Sequence, residues 1–451
     1  MIRYERHILD NGLTLLLHCD RETPMVTVNT LYGVGSRDEN PERTGMAHLL
    51  EHLMFGGTRR YPDYDGVVQM MGGESNAFTN NDYTNYYVTV PAGYTEQAID
   101  LEMDRMVNGL DWSEERLAVQ QKVVTEEYNQ RYMNQPYGDV WLLLRPLCFK
   151  QSPYRWCTIG ADIRHVAEAS LEEVRTFCER WYRPDNAIMA VAGNIDCEKV
   201  REMVSGFLAE PSGKADCKVQ GSRFKVEQRN YVREPEQREE RRLEVTREVP
   251  SDAIYIAYCM CGRTEADFVT CDVISDLLSN GKSSRLYRSL VLEKKLFSEV
   301  NAYVTGDRGE GLFVAKGNLN EGVKPEEAEA ALKEELQRMR DELVTEDELE
   351  KVVSKYESTF VYSQYKASDR AAALCCFEWM GHLDWVNSEP DQYRKVTPAM
   401  VRTVAERLFA PQRENVLFVR ARTGQIEKPD MPPNWRSVWN CSSLPFNILC
   451  V

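Results

Sequence analysis

A chain of 451 residues exceeds one ordinary hydrophobic core, which predicts two or three domains, and 43% hydrophobic with 28% charged residues describes a globular rather than a disordered protein. The formal net charge of -16, from 55 basic against 71 acidic side chains, excludes the broad basic footprint that nucleic acid or an anionic membrane surface requires. No run of about 18 apolar residues occurs, so no membrane span is expected, and the N-terminal MIRYERHILDNG lacks a signal-peptide core, which makes the cytoplasm the expected location.

From the N-terminus, TLLLHC, MVTVNTLYGVGS and NYYVTVP alternate as strands, and GMAHLLEHLMFGG between the second and third reads as a helix. AIDLEMDRMVNGL and SEERLAVQQKVVTEEYNQRYM follow as long amphipathic helices. SLEEVRTFCERWY is a further helix, and DNAIMAVAGNI is a buried strand closing on a Gly-Asn turn. Strands first, helices between them and a returning strand predict an α+β layer.

From about residue 211 to 245 the chain turns polar and loses periodicity, so an interdomain linker is expected at 216–240. The plan then restarts with a strand at AIYIAYCMCG and helices at DFVTCDVISDLLSNG, SSRLYRSLVLEKKL, PEEAEAALKEELQRMRDELV and EDELEKVVSKYESTFVYSQYK, before a closing strand at ENVLFVRAR. This order predicts a duplication of roughly 200 residues per copy, with domains at 1–215 and 241–425 and a proline-rich, then apolar, tail at 426–451. The second copy has no histidine in the helix that would repeat GMAHLLEHLMFGG. The thirteen cysteines lack framework spacing and read as reduced thiols; Cys259 with Cys261, and Cys375 with Cys376, read as small side chains rather than ligands.

On a helix, His48 and His52 stand one above the other, with Glu51 on an adjacent part of the same face and Ala47, Leu50, Leu53 and Met54 on the buried sides. A buried glutamate is costly unless a cation is near. His-x-x-Glu-His is the inverted zinc-peptidase signature: two imidazoles on zinc, an open position for water, and a carboxylate near that water but off the metal. A third ligand is expected from QQKVVTEEYNQR, where Glu126 and Glu127 lie beside a stripe of Val119, Val123 and Val124. Periodicity alone does not choose between them.

The blocks GVGSRDENPERTGMAHLLEHLMFGGT, GGESNAFTNNDYTNYYV, QQKVVTEEYNQRYMNQPYG, WYRPDNAIMAVAGNID and GKSSRLYRSLVLEKKL, in this order, resemble the pitrilysin-type zinc metallopeptidases, the group that includes insulin-degrading enzyme and the mitochondrial processing peptidase. The resemblance spans about residues 8 to 425 and implies two homologous α+β domains, each an antiparallel sheet covered by helices, forming half of a clamshell chamber. It implies one zinc ion per chain on His48, His52 and Glu127, with Glu126 as the fallback, and Glu51 as general base. Asn76, Ala77, Phe78 and Thr79 correspond to the edge where an extended peptide substrate adds as a strand; the plain alternative is a turn before the strand ending at Val90.

Two departures stand out. The family usually places a supporting glutamate seven residues before the glutamate ligand, and here that position is Gln120, which brings less negative charge to the site. The family's C-terminal arginine and tyrosine, which help hold the scissile carbonyl, fall on Val291 and Ser298. The chain therefore resembles the zinc-bearing subunit of a heterodimer whose homologous partner supplies the Arg/Tyr pair, a homodimer being the second arrangement. The rival readings are a non-catalytic assembly subunit that retains a zinc site, and an unrelated protein with a structural zinc.

Overall fold

Runs rich in β-branched and aromatic residues, bounded by Gly, Pro and Asn turns, form eleven strands in the computed structural model, which describes residues 1–209 and 231–422. In chain order these are β1 (Glu5–Ile8), β2 (Thr14–Cys19), β3 (Met25–Tyr32), β4 (Glu74–Thr79), β5 (Thr84–Pro91), β6 (Ala187–Gly193), β7 (Arg241–Arg247), β8 (Ala253–Met260), β9 (Phe297–Val304), β10 (Gly311–Leu319) and β11 (Asn415–Ala421). The helices used below are α1 (Met46–Met54), α2 (Tyr64–Met70), α3 (Thr95–Asn108), α4 (Glu114–Tyr128), α5 (Val140–Cys148), α6 (Ile163–Ala167), α7 (Leu171–Trp181), α8 (Cys197–Ala209), α9 (Phe268–Ser279), α10 (Pro325–Asp341), α11 (Glu346–Tyr362) and α12 (Ala367–Met380). The expected linker at 216–240 lies mostly, and the expected tail at 426–451 wholly, outside the described residues.

The chain forms two compact units. Among the described residues, the first gathers Met1–Asn134, 149–209, 231–234 and Gln364–Glu389; the second gathers Gln135–Cys148, Pro235–Ser363 and 390–422. Neither unit is one continuous half of the sequence.

In the first unit the strand order is β1-β2-β6-β3-β5-β4. β3 is buried along nearly its whole length, because both faces of this central strand are covered. The helix α12, drawn from the far end of the chain, packs on β3 and β6, where the Cys375 thiol points at the carbonyls of Asn29 and Ile188. α3 and α8 pack together, with α3 on β3 and β5 and α8 on β2. β4 is a sheet edge, paired only with β5.

In the second unit the order is β7-β11-β8-β10-β9, the same progression as β2-β6-β3-β5-β4. Here α5 packs on β7, β8 and β11, and α9 lies on β9. Its core includes Ile254, Ile256, Phe297, Phe313, Leu332 and Phe418. The architecture is α+β with two mainly antiparallel sheets. One pair in each departs from the expected antiparallel plan: β2 with β6, and β7 with β11, run parallel. In each case the returning strand arrives after a long helical connection, which permits parallel pairing.

No disulfide joins two of the described cysteines. Cys375 is buried, whereas Cys259, Cys261 and Cys376 are half-buried.

Candidate metal centre

α1 begins at a position where no side chain can cap it. Gly45, the N-cap, adopts φ +87°, and a Cβ there would meet Val166 Cγ2 at 2.6 Å and the Ile159 carbonyl at 2.8 Å. Glu39 serves instead: its carboxylate accepts the N–H groups of Gly45 and Ala47 at 2.8 and 2.9 Å, and the Trp156 indole N–H at 3.1 Å. Met46, Ala47, Leu49, Leu50, Leu53 and Met54 are buried, which fixes the rotation of the helix and turns His48, Glu51 and His52 together toward α4 and β4.

α4 starts on Ser113, whose hydroxyl accepts the Arg116 N–H at 3.2 Å, and continues past Tyr128 as a π-helical turn at Asn129–Met133. It presents Glu127 to both histidines. Nε2 of His48 lies 3.7 Å from Glu127 Oε1, and Nε2 of His52 lies 3.3 Å from Oε2. The imidazole rings meet edge to face, their centroids 4.8 Å apart. Glu126, one residue earlier, is exposed and joins no such cluster. The stripe expected on α4 is only partly inward: Val124 is buried, but Val119 and Val123 are 52% and 43% exposed, because Leu117 and Val124 supply the packed face.

The electrostatics suit a cation. Burial pushes His48 down to about 4, leaving a neutral imidazole with a free lone pair. Burial acts to raise Glu127, but the hydrogen bond with His52 and the charges of His48 and Arg131 outweigh it and hold the carboxyl below its ordinary value. Burial raises Glu51, against the Thr79 hydroxyl that donates to it. One ligand atom from each of His48, His52 and Glu127 lies within 4.8 Å of the others, and they form the one such cluster among the described residues. Zinc bonds of about 2.0–2.1 Å to nitrogen and oxygen put tetrahedral ligand atoms roughly 3.4 Å apart, so two imidazoles and a carboxylate at these separations fit that ion.

Arg131, one turn beyond Glu127, donates to its Oε1 at 2.7 Å. The i, i+4 spacing of these two residues was a readable signal for this contact. Gln120 does not reach the cluster. It lines a cavity of about 370 Å³ with Leu53, Trp112, Arg116, Val119 and Leu171, while Nδ1 of His48 is buried with no hydrogen-bond partner among the described residues.

Asn76, Ala77, Phe78 and Thr79 all lie on β4, in a strand rather than a turn. Asn76 is exposed at the edge, Phe78 packs edge to face on Tyr83, and Thr79 turns inward to Glu51. In the second unit Val291 packs against the core, and Ser298 on β9 donates its hydroxyl to the Asn318 carbonyl at 3.2 Å. Neither supplies a cationic or phenolic group.

Two α+β units of one strand order, with a His-His-Glu cluster in the first, define a metallopeptidase-like class of fold. Residues 14–139 match the family profile described as insulinase, peptidase family M16, and residues 168–356 match the one described as the peptidase M16 inactive domain. The chain belongs to the M16, or pitrilysin-type, peptidase family. It is 27% identical over 424 residues to the zinc protease PqqE of Helicobacter pylori, covering 93% of each chain. A protease from Helicobacter pylori of known structure superposes with a TM-score of 0.84 at 26% identity, over 93% of this chain and 100% of that one. The periplasmic protease PqqL from Escherichia coli shares the fold, with a TM-score of 0.74 at 18% identity, over 93% of this chain and 47% of the longer PqqL chain. Among the described residues no helix is long and apolar enough to cross a membrane.

Proposed function

We propose that the chain is a zinc-dependent endopeptidase that hydrolyses short or unfolded polypeptides, and that it serves as the zinc-bearing subunit of a heterodimer. The observation that carries this reading is the convergence of His48, His52 and Glu127 while Glu51, on the same helix face, stays outside that set. His48, His52 and Glu127 would hold one zinc, which when bound polarises a water molecule and lowers its pKa toward about 7.

The protein's own groups do the rest. Glu51 takes the proton of the attacking water as its oxygen adds to the peptide carbonyl, then returns it to the leaving amine. Burial favours this role, since a carboxyl raised above its ordinary value accepts and releases a proton more evenly. The exposed edge of β4 at Asn76, Ala77 and Phe78 offers main-chain groups to an extended peptide, which is why a folded substrate would be refused.

The absence of any arginine or tyrosine at 291 and 298 supports a homologous partner that contributes this pair to a chamber built from two halves, and the near-double length of the PqqL chain is consistent with such pairing. Each half would be one chain with its two homologous domains, proposed at 1–215 and 241–425, and the cytoplasm remains the proposed location. A second reading, a non-catalytic assembly subunit retaining zinc, draws on the unpartnered His48 Nδ1 and on Gln120.

Fluorogenic unstructured peptides, given to the zinc-loaded chain alone and with its partner, separate the readings. Hydrolysis that needs zinc and is abolished by Glu51→Gln is the expected result. A fully metallated complex that cleaves no peptide supports the assembly role, and a fully active isolated monomer removes the heterodimer.

A further inference from the structure

Glu51 meets a single donor. Thr79 Oγ1 donates to Glu51 Oε2 at 2.5 Å, and among the described residues no other group hydrogen-bonds that carboxylate. A hydroxyl has one proton to give. Thr84 Oγ1 also lies 3.3 Å from Thr79 Oγ1, but it donates its own proton to the Val34 carbonyl at 2.9 Å. The Thr79 proton therefore goes to the shorter, charged acceptor.

Thr79 is itself rigidly held. It ends β4 opposite Thr84, and the turn that follows is pinned at every residue. Asn80 Oδ1 accepts the N–H groups of Asp82 and Tyr83, each at 2.8 Å. The carbonyls of Asn80 and Asn81 accept from Ser36 and Arg37 at 3.2 and 2.9 Å. Asp82 takes the Arg37 guanidinium at 2.5 Å and the Tyr154 hydroxyl at 2.6 Å in a buried network. A fixed hydroxyl aimed at one oxygen of a mostly buried carboxylate removes rotamers that the longer glutamate side chain would otherwise sample.

We propose that Thr79 is a positioning residue for Glu51. Its hydroxyl holds Oε2 toward the strand and leaves Oε1 to take the proton, and through β4 it joins the edge where a peptide adds to the base that acts on it. The proposal rests on the reading of Glu51 as general base and of an extended peptide as substrate.

The test uses the zinc-loaded full chain with its partner present, in Thr79→Val and Thr79→Ser forms, together with their crystal structures. Because a positioned base is worth roughly 10²–10⁴ in rate and is here displaced rather than deleted, Thr79→Val is expected to lower kcat about 10- to 100-fold, with KM changed by less than about threefold. Zinc content should not change, Thr79→Ser should restore kcat to within about threefold of wild type, and Glu51 should be turned away in the Thr79→Val crystal. Wild-type kcat in Thr79→Val, or a Glu51 side chain unmoved in that crystal, would overturn the proposal. If the wild-type complex hydrolyses no peptide, the proposed function fails, while the position of Glu51 in the two crystals still decides what Thr79 does.

Discussion

Glu39 shows how much of this site depends on a residue that carries no chemistry of its own. It is 6% exposed, and burial pushes its carboxyl up to about 8 against the three N–H donors that surround it. Without it the first turn of α1 would leave the N–H groups of Gly45 and Ala47 unpaired, since a glycine N-cap offers no side chain. Glu39→Ala is therefore expected to cost about 1–3 kcal/mol of stability in urea denaturation, with Glu39→Gln costing less because an amide oxygen still accepts. Equal stability of all three proteins would show that water replaces the cap. His48, Glu51 and His52 were legible as a unit because helical spacing alone puts them on one face. Periodicity left Glu127 as one of a pair and only the family resemblance singled it out; in the structure it faces the two histidines while Glu126 is exposed. Glu39, Trp156 and Thr79 were not legible as partners of this helix, since each reaches it from a distant or irregular part of the chain that no local periodicity describes.

Among the elements, α9 is the instructive counterpart of α1. Where α1 presents two histidines at i, i+4, α9 presents Asp272 and Asp276 at that spacing, with Asp272 taking the Tyr393 hydroxyl at 2.6 Å and Asp276 the Asn280 amide at 2.8 Å. Burial, then the like charge of Asp272, pushes Asp276 up to about 7. An unfolded aspartate titrates near about 3.9, so between roughly pH 4 and 7 the folded state holds more protons and loses stability as pH rises. This contribution is fully present below about pH 4 and gone above about pH 7. Asp276→Asn should flatten the slope, its advantage over wild type growing as pH rises from about 4 to 8, as read from denaturation midpoints across that range. A difference that stays constant with pH would show that Asp276 keeps its charge in the fold.

Strands and helices of strong period, such as β8, α7 and α10, were readable from sequence. β4 was not read as a strand from its residues, because ESNAFT is polar and short and its place is set by pairing with β5. The reciprocal placement of α5 and α12 in the units of the opposite chain half was invisible too, since a linear reading assigns each helix to its sequence neighbours.

At the scale of the molecule, one claim governs the rest: a metal ion joins α1 to α4 in the first unit. A ligand that binds only the folded state adds stability by mass action, about 2.7 kcal/mol at a hundredfold excess over Kd. Chelation should therefore lower the unfolding temperature of the wild-type chain, and His52→Ala should abolish both the zinc and the response to chelator. The most direct measurement is anomalous scattering at the zinc edge from crystals of the zinc-loaded chain. One peak of full occupancy is predicted among His48 Nε2, His52 Nε2 and the Glu127 carboxylate, with Glu51 off the metal; no peak there, or a fourth protein ligand closing the site, would contradict the account.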